Sequence, residues 1–526
     1  MKTRFSIGVA ASAILSFVTG AAILESQSPP AAATVKVEGG LVSGVSADGV
    51  RSYKGIPFAA PPVGDLRWKP PQPVKAWSGT RRGDAVGPAC PQNGHPPGPF
   101  PDPTEAQRED CLSLNVWTAA PAGERRPVIV WYHGGGWAFG SGVSYTPNGA
   151  PLAKKGIVLV TVNSRLGALG YLAHPELTAE SAHHSSGNYG FLDQIAALHW
   201  VRQNVAAFGG DPNRVTIMGE SAGSWTVSML VASPLSRGLF QRAIGESGGR
   251  FGPQSYLHDD RNGFQAAENV GLQFARTAGV DSIAALRALP PEKILKMQFR
   301  TLENVDGWAL PDEVRTLYAQ GKQAKVPVLV GSNRNERTPN PATAPKTIAE
   351  YRAYLAKEYG ASSQALETAY PVKTEADIVA AVAAIAGQSA FTVHMRTWAR
   401  RMAAAGQKTF LYEFTHVPPH PNSKQLGAFH TSEIPYVFND LKQPRLSDWR
   451  FTETDSRVAN VMSSYWTNFV IHGDPNGEGL PRWAPYDPTN EGYMDLGDTP
   501  VLRNHLLKQQ LDAIEGFQQQ RQSTSR

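Results

Sequence analysis

A chain of 526 residues that is 41% hydrophobic and 18% charged carries enough apolar material for a large core, which excludes an intrinsically disordered protein. Its 50 basic residues stand against 45 acidic ones, and no basic run is long enough to follow a phosphate backbone, so nucleic acid is not an expected partner. Residues 1–33 read as an export signal and its junction: Lys2 and Arg4 precede an uncharged run over 5–24 in which Gly20, Ala21 and Ala22 offer small residues for cleavage. An uncleaved anchor is the alternative, because about twenty uncharged residues just span a bilayer. The interspersed Ser and Gly favour removal, so a periplasmic or secreted protein without stable membrane insertion is expected. The two cysteines, Cys90 and Cys111, then have one simple fate in an oxidising compartment, a single disulfide; two free buried thiols are the alternative. Residues 94–103, rich in Pro and Gly, read as an irregular surface segment inside that loop.

From residue 128 onward, short β-branched runs alternate with longer helical stretches, the pattern of an α/β protein with a mostly parallel sheet between helices. Strands are expected over 128–133, 157–163, 214–218, 326–331 and 409–414. The stretch 192–208 predicts a helix, with Leu192, Ile195, Leu198, Val201, Val205 and Phe208 at helical spacing and Gly209 and Gly210 as its stop. Residues 340–405 are Ala-rich and lack strand signals, which predicts a helical insertion over the sheet. The segment 518–526 is polar and expected to fray. One catalytic domain over 34–517 follows.

Gly219-Glu220-Ser221-Ala222-Gly223 lies between a predicted strand and a helical run, the setting of a nucleophile elbow. A serine at the apex of so sharp a bend needs neighbours without side chains, hence glycines at 219 and 223. The bland alternative is a chance Gly-Ser-Gly turn. His133-Gly134-Gly135-Gly136-Trp137 follows the 128–133 strand, where bare N–H groups can approach a substrate oxygen; a merely flexible loop is its bland reading.

Gly55-Ile56-Pro57-Phe58-Ala59, Pro61-Pro62-Val63-Gly64, Glu109-Asp110-Cys111-Leu112, the triple glycine, Phe208-Gly209-Gly210-Asp211-Pro212 and the elbow occur here in one order. In this the chain resembles the type-B carboxylesterases, the group of cholinesterases and para-nitrobenzyl esterases, over roughly residues 35–510. The resemblance implies the α/β-hydrolase fold, a Cys90 to Cys111 bridge, and an oxyanion hole from Gly135, Gly136 and Ala222. It also implies a catalytic triad. Hydrolase topology puts the acid and then the histidine after the serine. Phe429-His430-Thr431-Ser432-Glu433 resembles the family's histidine segment, and Gly331-Ser332-Asn333-Arg334-Asn335-Glu336 its acid loop. The implied catalytic residues are therefore Ser221, Glu336 and His430. Arg337 departs from the family's usual glycine, which keeps Asp306 and Asp312 as alternative acids.

Trp137, Trp225 and Phe429 are expected to line a substrate pocket, with core packing as the competing explanation; Phe139 and Tyr436 stand near the same motifs. Ser247 resembles an auxiliary serine of the family. His183-His184 lack spaced partners, so no metal ligand set is expected, and this chemistry requires no cofactor. The expected function is hydrolysis of small-molecule carboxylic esters with a hydrophobic or aromatic portion. A catalytically silent binding protein on the same scaffold is the alternative, as is an amidase, lactonase or polyester hydrolase with the same triad.

Overall fold

The computed structural model describes residues 33–94, 105–144 and 148–524. The export signal expected over 1–33 therefore lies, save Ala33, outside the described residues, and so does the irregular segment of 94–103, save Gly94.

Eleven strands form the central sheet, numbered here in chain order: β1 (Val45–Ala47), β2 (Val50–Pro57), β3 (Ser113–Thr118), β4 (Arg126–Tyr132), β5 (Val158–Val162), β6 (Gly210–Glu220), β7 (Arg242–Glu246), β8 (Val328–Asn333), β9 (Thr409–Phe414), β10 (Tyr493–Leu496) and β11 (Val501–Arg503). Their order across the sheet is β11-β10-β9-β8-β7-β6-β4-β5-β3-β2-β1. From β10 through β5 every neighbouring pair is parallel, and the strands beyond at either side are antiparallel. The parallel centre is covered on both faces, which is why Val128-Ile129-Val130 and Val158-Leu159-Val160 are apolar without alternation and wholly buried.

Each predicted strand is present, within a few residues of its expected ends. Strands β3 and β7 were not legible: Arg242-Ala243-Ile244-Gly245-Glu246 is short and opens and closes on charges, and only its place between β6 and β8 makes it a strand. The helix expected over 192–208 is Tyr189–Asn204, continued by one tighter turn, Val205–Phe208, and ended by Gly209 at φ 81°. The insertion is helical as predicted, with Ile348–Tyr359, Ser363–Ala369, Ile378–Gly387 and Val393–Ala404 joined in part by a π-turn, Gln388–Thr392.

One expectation is corrected. The polar tail does not fray at Phe517: a helix runs from Lys508 to Thr524. Phe517 packs edge-on against Tyr359 at 4.9 Å, and Ser362 Oγ donates to Gln520 Oε1 at 2.7 Å. That tertiary anchoring is invisible in the polar sequence.

Cys90 and Cys111 are bridged and buried, closing a loop 21 residues long. Closing such a loop restricts the unfolded chain by about 3 kcal/mol. Replacing both cysteines by alanine is therefore expected to lower unfolding stability by about that amount while kcat stays near wild type. Coincident denaturation curves would remove the bridge from the list of stabilising features.

Candidate active site

Strand β6 delivers Ser221 at its C-terminal end and the helix Ala222–Ala232 departs immediately. The bend between them puts Ser221 at φ 55° and ψ −121°, a conformation that costs an L-residue of order 1–3 kcal/mol. The flanking glycines are enforced by contact. A Cβ on Gly219 would lie 2.5 Å from the carbonyl of Gly223, and one on Gly223 would lie 1.9 Å from the carbonyl oxygen of Tyr132. The neighbouring strand fixes the apex, since Ser221 N donates to Glu246 O at 2.9 Å. Ser221 retains 8% exposure.

The glycine loop after β4 passes directly beside the bend: a Cβ on Gly134 would meet Ser221 Cβ at 3.2 Å. Gly135 and Gly136 adopt φ 104° and 62°, which turns their N–H groups out of the strand direction. Neither N–H has a hydrogen-bond acceptor among the described residues. Ala222 opens its helix, where the first N–H groups have no partner in the helix itself. The loop beside the serine bend therefore carries two N–H groups without an acceptor, and such donors are costly unless a ligand oxygen meets them.

His430 follows the turn after β9 and its Nδ1 is 2.6 Å from Glu336 Oε2. Glu336 is buried and its second oxygen accepts from Asn333 N at 2.7 Å, so the carboxylate is fixed from both sides. The alternative acids are engaged elsewhere. Asp306 closes its own turn through Leu310 N and Trp308 N and takes Asn188 Nδ2, and Asp312 lies beside Tyr256. Arg337 does not pair with Glu336; its guanidinium sits over Phe391 at 5.5 Å, and Phe391 in turn lies against His430 at 4.4 Å. The departure from the family's glycine thus leaves the acid free for the imidazole.

The other ring nitrogen, His430 Nε2, is 3.3 Å from Glu220 Oε1, the residue before Ser221. That approach lacks hydrogen-bond geometry, and both Glu220 oxygens are buried without a hydrogen-bond partner among the described residues. Burial, reinforced by the carboxyls of Glu433, Glu336 and Glu246, holds Glu220 well above the ordinary carboxylate range. Glu246 is raised by burial and Glu433, against a bond from Trp466 Nε1 of 2.7 Å; Glu433 is raised by burial and Glu336, against a bond from Asn333. This buried carboxyl group cluster was not found by sequence reasoning. Its signals in the sequence are Glu220 inside the elbow and Glu433 three residues after His430. Ser247, at φ 51°, reaches Glu433 Oε1 at 3.5 Å.

Of the aromatics, Trp137 is buried, donates to Thr226 Oγ1 at 3.0 Å, and stacks on Tyr171 at 5.5 Å. Trp225 meets it edge-on at 5.2 Å and is half-buried. Phe429 packs in the core between His420 and Trp449. Tyr436 is likewise buried and donates to Asp455.

A parallel sheet carrying a serine elbow after one strand, an acid after a later one and a histidine after the next is the arrangement of an α/β-hydrolase. The Carboxylesterase family model matches residues 31–514. A fumonisin B1 esterase of Sphingopyxis macrogoltabida is 38% identical over 501 residues, covering 93% of this chain and 91% of the other. A cocaine esterase of Homo sapiens is 34% identical over 511 residues, covering 89% and 87%. The crystal structure of a Geobacillus stearothermophilus carboxylesterase superposes with a TM-score of 0.79 at 30% identity, over 91% of this chain and 99% of that one. The chain belongs to the carboxylesterase family and is a carboxylic ester hydrolase.

Proposed function

We propose that the protein is an exported serine esterase that cleaves esters with a hydrophobic or aromatic portion through an acyl-enzyme on Ser221. His430 takes the hydroxyl proton as Ser221 Oγ bonds to the ester carbonyl carbon. The carbonyl oxygen gains the displaced electron pair and is met by the N–H groups of Gly135, Gly136 and Ala222. The carbon–oxygen bond to the alcohol breaks as His430 returns the proton to the leaving oxygen. Water then repeats the sequence in place of the serine and releases the acid, so the cycle needs neither metal nor cofactor. Glu336 keeps the proton of the neutral imidazole on Nδ1 and stabilises the imidazolium.

The observation that carries this reading is the strained serine bend lying against glycine N–H groups that have no other acceptor. The half-buried Trp225 and the Phe391 ring beside His430 support an apolar substrate portion. The disulfide supports export, and with it removal of the N-terminal segment and no lasting membrane insertion. Relatives named for fumonisin B1 and for cocaine indicate that this framework serves different esters, so the pocket rather than the triad selects the substrate.

The test is covalent labelling by a fluorophosphonate. One adduct per chain, mapped to the peptide containing Ser221 and accompanied by proportional loss of para-nitrophenyl ester turnover, is expected. No adduct together with no turnover would instead favour a silent binding protein.

A further inference from the structure

Ala138 and Phe139, which follow the glycine loop, form one wall of an open cleft of about 760 Å³ and face the segment 294–301, and the Phe139 ring stands beside Gly135, where an added Cβ would meet it at 2.9 Å. Two cations, Lys296 and Arg300, stand on that opposite wall, and both are exposed. Neither makes an ion pair among the described residues, in contrast to Arg67, Arg165 and Arg250. Arg300 also borders an adjoining crevice of about 260 Å³, where it lies over Phe264 at 5.3 Å.

The inner wall of this crevice includes Tyr171, which is 2% exposed and whose hydroxyl has no hydrogen-bond partner. Tyr171 is the ring stacked on Trp137, so the crevice lies one aromatic stack from the residue that follows Gly136. Among the described residues no carboxylate lines either space. The nearby Glu303 is already held by Arg250 and by Gln254 Nε2. The two spaces share Phe299 and Arg300, and the smaller one adds the Phe264 wall and the Tyr171 hydroxyl, a buried donor without an acceptor.

We propose that this cleft is built for esters that carry a free carboxylate at the end distal to the scissile bond, held by Arg300 at the crevice mouth with Lys296 alongside. An uncharged ester gains only apolar contact there. A carboxylate gains charge-assisted hydrogen bonds, for which the planar guanidinium fork is suited, and is drawn toward the cleft before contact. The apolar stretch between carboxylate and ester lies over Phe299 and Phe139, which reconciles this selectivity with a hydrophobic substrate portion. The inference rests on the Ser221 esterase reading given above.

Two substrates that differ in one terminal group test it: para-nitrophenyl hexanoate, and the para-nitrophenyl half-ester of adipic acid, whose chain ends in a carboxylate where hexanoate has a methyl. In the full-length protein the double variant Lys296→Gln, Arg300→Gln is expected to lower the half-ester to hexanoate ratio of kcat/KM by about tenfold, through KM, since one charge-assisted pair is typically of that size. Added salt is expected to lower the same ratio in the wild type. A ratio that stays within about twofold in the variant and is indifferent to salt would overturn the proposal while leaving hexanoate hydrolysis, and so the esterase reading, in place. A wild type inert toward both substrates would overturn both readings together.

Discussion

Ser221→Ala is expected to lower kcat by a factor on the order of 10⁵ while leaving the fold unchanged, because it removes the proposed nucleophile and little else. Ser221 makes no side-chain hydrogen bond among the described residues, so its hydroxyl contributes little to folding. Its stability burden lies in the backbone, at φ 55°, and alanine inherits that burden almost unaltered. Far-ultraviolet circular dichroism and melting of the variant should accordingly match the wild type. On the proposed mechanism the residual rate would come from the N–H groups of Gly135, Gly136 and Ala222, which would still polarise a bound carbonyl for attack by water. A variant that keeps more than about a tenth of wild-type kcat, in a preparation free of contaminating esterase, would move the nucleophile elsewhere.

The parts of this site that were legible in the sequence are those where backbone geometry forces residue type. Gly219 and Gly223 are required by approaches under 3 Å, and such requirements leave a mark that a single sequence can show. The strands of the parallel centre were legible for a related reason: burial on both faces demands continuous apolar runs. What escaped was whatever depends on the assembled environment. Glu246 looks like a solvated strand end, yet it is fully buried and accepts from Trp466 Nε1 of the helix Glu453–His472. Phe391 sits in an Ala-rich helical insertion with no sequence cue linking it to His430, and the contact exists because the π-turn brings that insertion against the acid loop, with Gly387 beside Glu336 Cβ. The effect of Arg337 was likewise undecidable from its neighbours in the chain. A cation next to Glu336 in sequence would pair with it unless something else held the guanidinium, and the ring of Phe391 does so.

The environment of Glu336 also sets the second large effect. Glu336→Gln is expected to lower kcat about 10³- to 10⁴-fold with little loss of stability. The amide occupies the same volume, and its oxygen can replace Oε1 as acceptor for Asn333 N, so the loop keeps its anchor. Its NH₂ would then face His430 Nδ1, now 2.6 Å from a carboxylate oxygen, and two donors cannot share that contact. The imidazole answers by moving its proton to Nε2, which leaves the nitrogen that should receive the Ser221 proton already occupied. Relief through Glu220 does not follow, because burial and three neighbouring carboxyls hold that group toward its neutral form and its approach to Nε2 lacks hydrogen-bond geometry. The loss should fall on kcat and kcat/KM alike, as a transition-state interaction requires, and Asp306→Asn should produce nothing comparable. Full activity in Glu336→Gln would show that orientation of His430 does not depend on this carboxylate, and the triad would have to be redrawn without it.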